Sequence, residues 1–78
     1  MDRIAVLVSG VSDIAIEGTL IANLRYIGED EKKALDIAAN IIDWLTLNDG
    51  WKVIDEGDNF CVLRNGHWYK TVEIKYNV

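Results

Sequence analysis

His67 and Cys61 are the lone histidine and lone cysteine of this chain. A thiol beside an imidazole can serve as an activated nucleophile, because the ring takes the thiol proton and the thiolate attacks. Two such residues cannot build the rest of that repertoire. A zinc centre takes several His and Cys ligands, and a nucleophile-base-acid set needs a carboxylate and a nucleophile in register with the histidine, neither of which the pattern places beside His67. In the hairpin derived below, Cys61 falls opposite Lys70 and points away from the face of Val62, while His67 sits beside the turn, so the two do not meet. Cys61 therefore reads as a buried core thiol and His67 as a surface residue at a loop end.

Carboxylates are the other group with chemical potential. Asp55-Glu56-Gly57-Asp58-Asn59 crowds acidic side chains into a turn where a calcium ion could sit. It lacks the twelve-residue spacing and closing Glu of an EF-hand, and Asp, Asn and Gly favour turns for backbone reasons alone. Glu29, Asp36 and Asp43 recur at heptad spacing, which on a helix sets them along one face, ~10 Å apart. Strip and turn together could imitate the phosphate pattern of nucleic acid; the solvated face of an amphipathic helix is the simpler reading.

The elements that position these groups follow from pattern. Composition allows one core: 78 residues, 50% hydrophobic with three Trp, make residues 1–78 a single compact domain with no room for a deep cleft. No Pro interrupts the chain. Arg3 to Val8 is a β-rich run stopped by the turn-prone Ser9-Gly10-Val11-Ser12-Asp13. Ile14 to Ile27 reads as a second strand, with Leu20, Ala22, Leu24 and Tyr26 alternating with Ile21, Asn23, Arg25 and Ile27, and Gly18 marking a bulge. A helix from Asp13 capped by Ser12 is the alternative, since Ile16, Leu20, Leu24 and Ile27 also fit helical spacing.

Glu29-Asp30-Glu31 places negative charge at a helix N-terminus, and Asn48-Asp49-Gly50 stops the helix about five turns later. Leu35, Ala38, Ile42 and Leu45 form its apolar row, widened by Ala34, Ile37, Ile41 and Trp44 beyond the stripe of an ordinary surface helix. Such a helix wants cover on more than one side.

A meander follows: Trp51 to Glu56, a Gly57-Asp58-Asn59 turn, Phe60 to Arg64, the Asn65-Gly66 turn, and His67 to about Tyr76. Asn-Gly between β-rich runs predicts a type I′ loop, placing Leu63 opposite Trp68 and Val62 opposite Tyr69. A three-residue first loop puts Val53 beside Leu63 and Ile54 beside Val62. One sheet face then carries Val53, Leu63, Trp68, Val72 and Ile74 under the helix. The other carries Ile54, Phe60, Val62 and Tyr69 mixed with Lys52, Arg64 and His67, an apolar patch of the type found at interfaces. The fold class is α+β, with an N-terminal β pair, one long helix and a three-stranded antiparallel meander (ββαβββ), the helix on one sheet face.

Arg3-Ile4-Ala5-Val6-Leu7-Val8-Ser9-Gly10 resembles the opening strand and turn of glycinamide ribonucleotide formyltransferases. The chain departs from that family after Gly10, where Val11-Ser12-Asp13 replaces a phosphate-cradling turn, and the family's catalytic Asn-His-Asp set has no counterpart here.

With no cofactor, metal or catalytic motif, the chain reads as a non-enzyme. Its 13 acidic and 8 basic residues give a net charge of -5, which disfavours direct nucleic-acid binding and points to a protein partner with a basic surface. The short apolar run after Met1-Asp2-Arg3 is too short for a signal peptide or membrane span, and a lone Cys suits a reducing, cytoplasmic setting. The size, charge and element order are similar to those of phage or mobile-element products that block host defence or nucleic-acid machinery, anti-CRISPR proteins among them. That likeness implies inhibition by occlusion, and the surfaces available for it are either the sheet face around Phe60, Val62 and Tyr69 or the acidic helix strip, with Asp36, Asp43, Asp55, Glu56 and Asp58 engaging a basic groove on the partner. The alternative is a homodimeric structural or regulatory module that uses its second apolar face for self-association.

Overall fold

The computed structural model describes residues 2–14 and 21–78. The order is β1 (Ile4–Ser12), β2 (Ile21–Gly28), α1 (Glu31–Asn48), β3 (Lys52–Glu56), β4 (Phe60–Asn65) and β5 (Trp68–Tyr76), the expected ββαβββ arrangement. All five strands pair antiparallel in one sheet of order β2-β1-β5-β4-β3. Strands from the two ends of the chain therefore meet at its centre, where β1 and β5 pair from Ile4↔Tyr76 to Ser12↔Trp68.

That pairing corrects the end of β1. The strand does not stop at Ser9: Gly10, Val11 and Ser12 continue opposite Lys70, Tyr69 and Trp68. A long partner strand outweighs the turn preference of Ser and Gly, since each added residue gains ladder hydrogen bonds. β2 is described from Ile21, and the Gly18 bulge expected in it lies outside the described residues. A bulge is present, but at Arg25. Val6 faces Tyr26 while Leu7 faces Leu24, so Leu24 and Tyr26 occupy opposite sheet faces instead of alternating together. Tyr26 thereby turns toward the helix, where its hydroxyl accepts the Asp30 N–H at 3.2 Å.

α1 starts at the N-cap Asp30, whose carboxylate accepts the Lys33 N–H at 3.1 Å, with Glu31 adding charge to the first turn. It stops through Gly50, at φ +75, which lets the Trp51 N–H turn back to the Leu45 carbonyl. The helix packs over β1, β2 and β5. Ala34, Ala38 and Leu45 are buried, and Ile37, Ile41 and Ile42 pack partly against the core. Leu35 and Trp44, expected within the packed stripe, lie on its exposed flanks. The two alanines let the helix sit close, and the bulky residues on either side overhang the sheet.

The second hairpin differs from the Asn-Gly expectation. Asn65 pairs with Trp68, Leu63 with Lys70 and Val62 with Thr71, leaving Gly66-His67 as the loop. Only Gly66 of these loop residues has positive φ, +62, the pattern of a type II′ turn with Gly in the first central position. Asn65 stays in the strand because its side chain donates to the Asp49 carbonyl at 2.8 Å. Cys61 consequently faces Val72, not Lys70. In the first hairpin Val53 does face Leu63, but a bulge at Ile54 brings Asp55 opposite Val62.

In the second hairpin Leu63, Val72 and Ile74 keep their expected face, because moving the pairing by two residues preserves the side-chain period of two, whereas in the first the Ile54 bulge shifts the pairing by one and sets Glu56 opposite Cys61. Ile4, Val6, Val8, Cys61, Leu63, Val72 and Ile74 form the core beneath the helix, with Leu63 and Val6 fully enclosed.

Candidate functional site

A five-stranded sheet spans about 19 Å between its outer strands, whereas a helix is about 10 Å wide. One helix cannot roof it, so the covered face keeps a hollow on each side of α1. Their chemistry differs. On the β3–β4 side a hollow of about 260 Å³ has an apolar floor that includes Ala38, Ile42 and Val72, with Glu56 and Asp58 at its rim. Leu35 of the helix and Val53 of the edge strand, each 44% exposed, stand along it. On the β2 side a hollow of about 410 Å³ is lined by Ile37, Ile41 and Trp44 together with Arg25 and Lys70.

The sequence-derived site residues divide among three places. Glu56, Asp58 and Phe60 line the acidic hollow, which corrects the expectation that Phe60 stands with Val62 and Tyr69 on the other face: at the start of β4 its ring lies against Gly57, where a Cβ would collide with it. Asp36 and Asp43 lie on the exposed side of α1, away from Ala34, Ala38 and Leu45, and Asp36 holds a solvent-exposed ion pair with Lys32 at 3.4 Å. Such a pair contributes little to stability. Asp55, Val62 and Tyr69 belong to the opposite, helix-free sheet face, where Val62 and Tyr69 are half-buried. The same face presents Leu24, Ile27 and Ile54, with Leu24 54% exposed. The Arg64 guanidinium lies 5.3 Å from the Tyr69 ring centre and donates through Nε to the Gly66 carbonyl.

Cys61 is buried, and burial pushes its thiol pKa up, with the Glu56 carboxylate across the ladder adding to the rise. A protonated, enclosed thiol is a poor nucleophile. His67, by contrast, does have a carboxylate partner, which corrects the expectation that none lies in register. Its Nδ1 is 3.0 Å from Asp13 Oδ1, and the Tyr69 hydroxyl donates to Asp13 Oδ2 at 3.5 Å. The Asp13 N–H also donates to the His67 carbonyl at 2.9 Å, extending the β1–β5 ladder past Ser12. Neighbouring Ser12 accepts the Ile14 N–H through its Oγ at 3.4 Å, closing a local turn. The cluster ties the end of β1 to the β4–β5 hairpin. Nothing short of the long-range strand pairing could have found it, since Asp13 and His67 are 54 residues apart.

No protein-family model, no curated protein and no solved structure matches the chain. Among the described residues no helix is long and apolar enough to cross a membrane.

Proposed function

We propose that this chain is a non-enzymatic binding module that acts by occluding a basic surface on a protein partner. The observation that supports this reading is the acidic hollow, where Glu56 and Asp58 rim an apolar floor and the exposed Leu35 and Val53 flank it. Apolar contact at the centre with charge at the edge is the layout of a transient interface, in which the rim steers encounter and the centre supplies affinity. Asp36 and Asp43 extend the negative surface over the helix. In size, charge and action the module belongs with small acidic inhibitors from phage or mobile elements that block host defence or nucleic-acid machinery, in the manner of anti-CRISPR proteins.

The test is capture of partners by the wild-type protein and by a variant with Asp36, Asp43, Asp55, Glu56 and Asp58 all changed to Lys. Loss of the captured protein on charge reversal, and weakening of wild-type capture as salt rises toward about 0.5 M, are the expected results. Capture by both forms with equal strength ends the electrostatic reading.

The helix-free sheet face favours a second reading, self-association through Leu24, Ile54 and Tyr69. Light scattering from about 1 to 100 μM would reveal it as a mass that grows with concentration. Tyr69→Glu should then restore the monomer, whereas a constant monomer mass for the wild type removes this reading.

A further inference from the structure

The hollow on the β2 side of α1 continues past the helix end. A second hollow of about 230 Å³, lined by Trp51 and Trp68, adjoins the first across the shared Val8, Arg25 and Lys70, and the pair is termed the trough. All three tryptophans of the chain line it, with Trp44 and Trp68 more than half exposed and Trp51 buried. Among the described residues that line it, the two charged ones, Arg25 and Lys70, are both cations. In a protein with 13 carboxylates, none of the described residues lining either hollow is Asp or Glu.

This geometry has local causes. Arg25 is the extra residue of the β2 bulge, the kind of irregularity that re-aims a side chain, and it joins the helix-side hollows instead of the opposite face. Lys70 faces Gly10 across the ladder, so no β1 side chain stands directly opposite its stem, and its ammonium lies 4.9 Å from the Trp51 ring centre. Trp51 is itself fixed by donating through Nε1 to Asp49 at 2.9 Å.

We propose that the trough binds a small aromatic carboxylate, with its ring against Trp44 or Trp68 and its carboxylate between Arg25 and Lys70. A guanidinium and an ammonium bordering an apolar channel provide charge-assisted hydrogen bonds for an anion, and the exposed indoles provide flat surface for a ring. The larger hollow alone lies within the size range of small-molecule sites. The site is separate from the acidic hollow across the helix and does not depend on the partner-binding reading.

The test uses 1-naphthoate as the probe, with 1-naphthamide as its uncharged counterpart, titrated into the whole protein while the indole Nε1–H resonances are followed by NMR. The expected result is saturable movement of the Trp44 and Trp68 indole signals with naphthoate. The amide should bind about tenfold more weakly or worse, the range of one charge-assisted hydrogen bond. Arg25→Gln with Lys70→Gln should level the two affinities, and Arg25→Gln alone should narrow the gap if the double variant does not fold. Equal binding of acid and amide to the wild type overturns the proposal. So does the absence of indole movement up to about 10 mM, taken as millimolar affinity or worse. A dimer mass abolished by Trp44→Glu would give the trough to a second copy of the chain and overturn it as well.

Discussion

The Asn65 side-chain amide donates to the main-chain carbonyl of Asp49 across 2.8 Å, joining the β4–β5 hairpin to the end of α1. The bond satisfies a carbonyl just beyond the last helical turn, where intrahelical partners have run out. It also selects the hairpin's register. An Asn65 held in the strand cannot take a central position of a type I′ loop, so positive φ passes to Gly66 alone and His67 enters the turn.

Asn65→Ala should therefore destabilise the fold by about 1 kcal/mol, as expected for one lost hydrogen bond at an exposed site. Denaturant unfolding measures it. Asn65→Asp, which keeps the shape but removes the donor, should cost at least as much; an unchanged midpoint for both would show that the bond is not what holds the register.

Gly66 lies at φ +62 with nothing near the place a Cβ would occupy. Gly66→Ala tests backbone strain free of steric contact, and about 1 kcal/mol of destabilisation is expected. A neutral effect would mean that the loop adopts another turn type in solution.

Leu63 is fully enclosed at the centre of the covered face, whereas Leu47 is 81% exposed on the last turn of α1. Leu63→Ala should cost about 2–5 kcal/mol through lost transfer energy and the cavity left behind. Leu47→Ala should stay within about 0.5 kcal/mol. Thermal unfolding of the two variants side by side checks the core assignment, and similar losses would contradict it.

The raised pKa of Cys61 has a sign that can be followed. The folded state favours the protonated thiol, so the native form retains this proton at a pH where the unfolded chain has lost it. The contribution is fully present below the ordinary thiol value of 9.0 and is lost as pH rises through the higher folded value. The fall in stability above pH ~9 should be steeper for the wild type than for Cys61→Ala, and native Cys61 should resist thiol reagents at neutral pH. Rapid labelling of the folded protein would place the thiol outside the core.

The two faces of the C-terminal meander were legible in the residue pattern, because alternation is local: Leu63, Val72 and Ile74 share a side whether the turn is Asn65-Gly66 or Gly66-His67. The helix was legible for the same reason, its carboxylates and Gly50 marking both ends. The candidate site was legible only in pieces. Glu56 and Asp58 could be recognised as an acidic turn, but not as the rim of a hollow beside Leu35.

What the amino-acid order determined by itself was the set of elements and the side of each that seeks the core, since both depend on neighbours a few residues apart. The tertiary structure alone decided that β1 runs through the middle of the sheet beside β5, that Asp13 meets His67, and that Arg25 and Lys70 share a trough with three tryptophans. Those contacts join residues tens of positions apart, and their geometry depends on strand order and on a bulge. Every strand pairing competes with others of similar local energy, and only burial of the whole covered face beneath α1 selects among them.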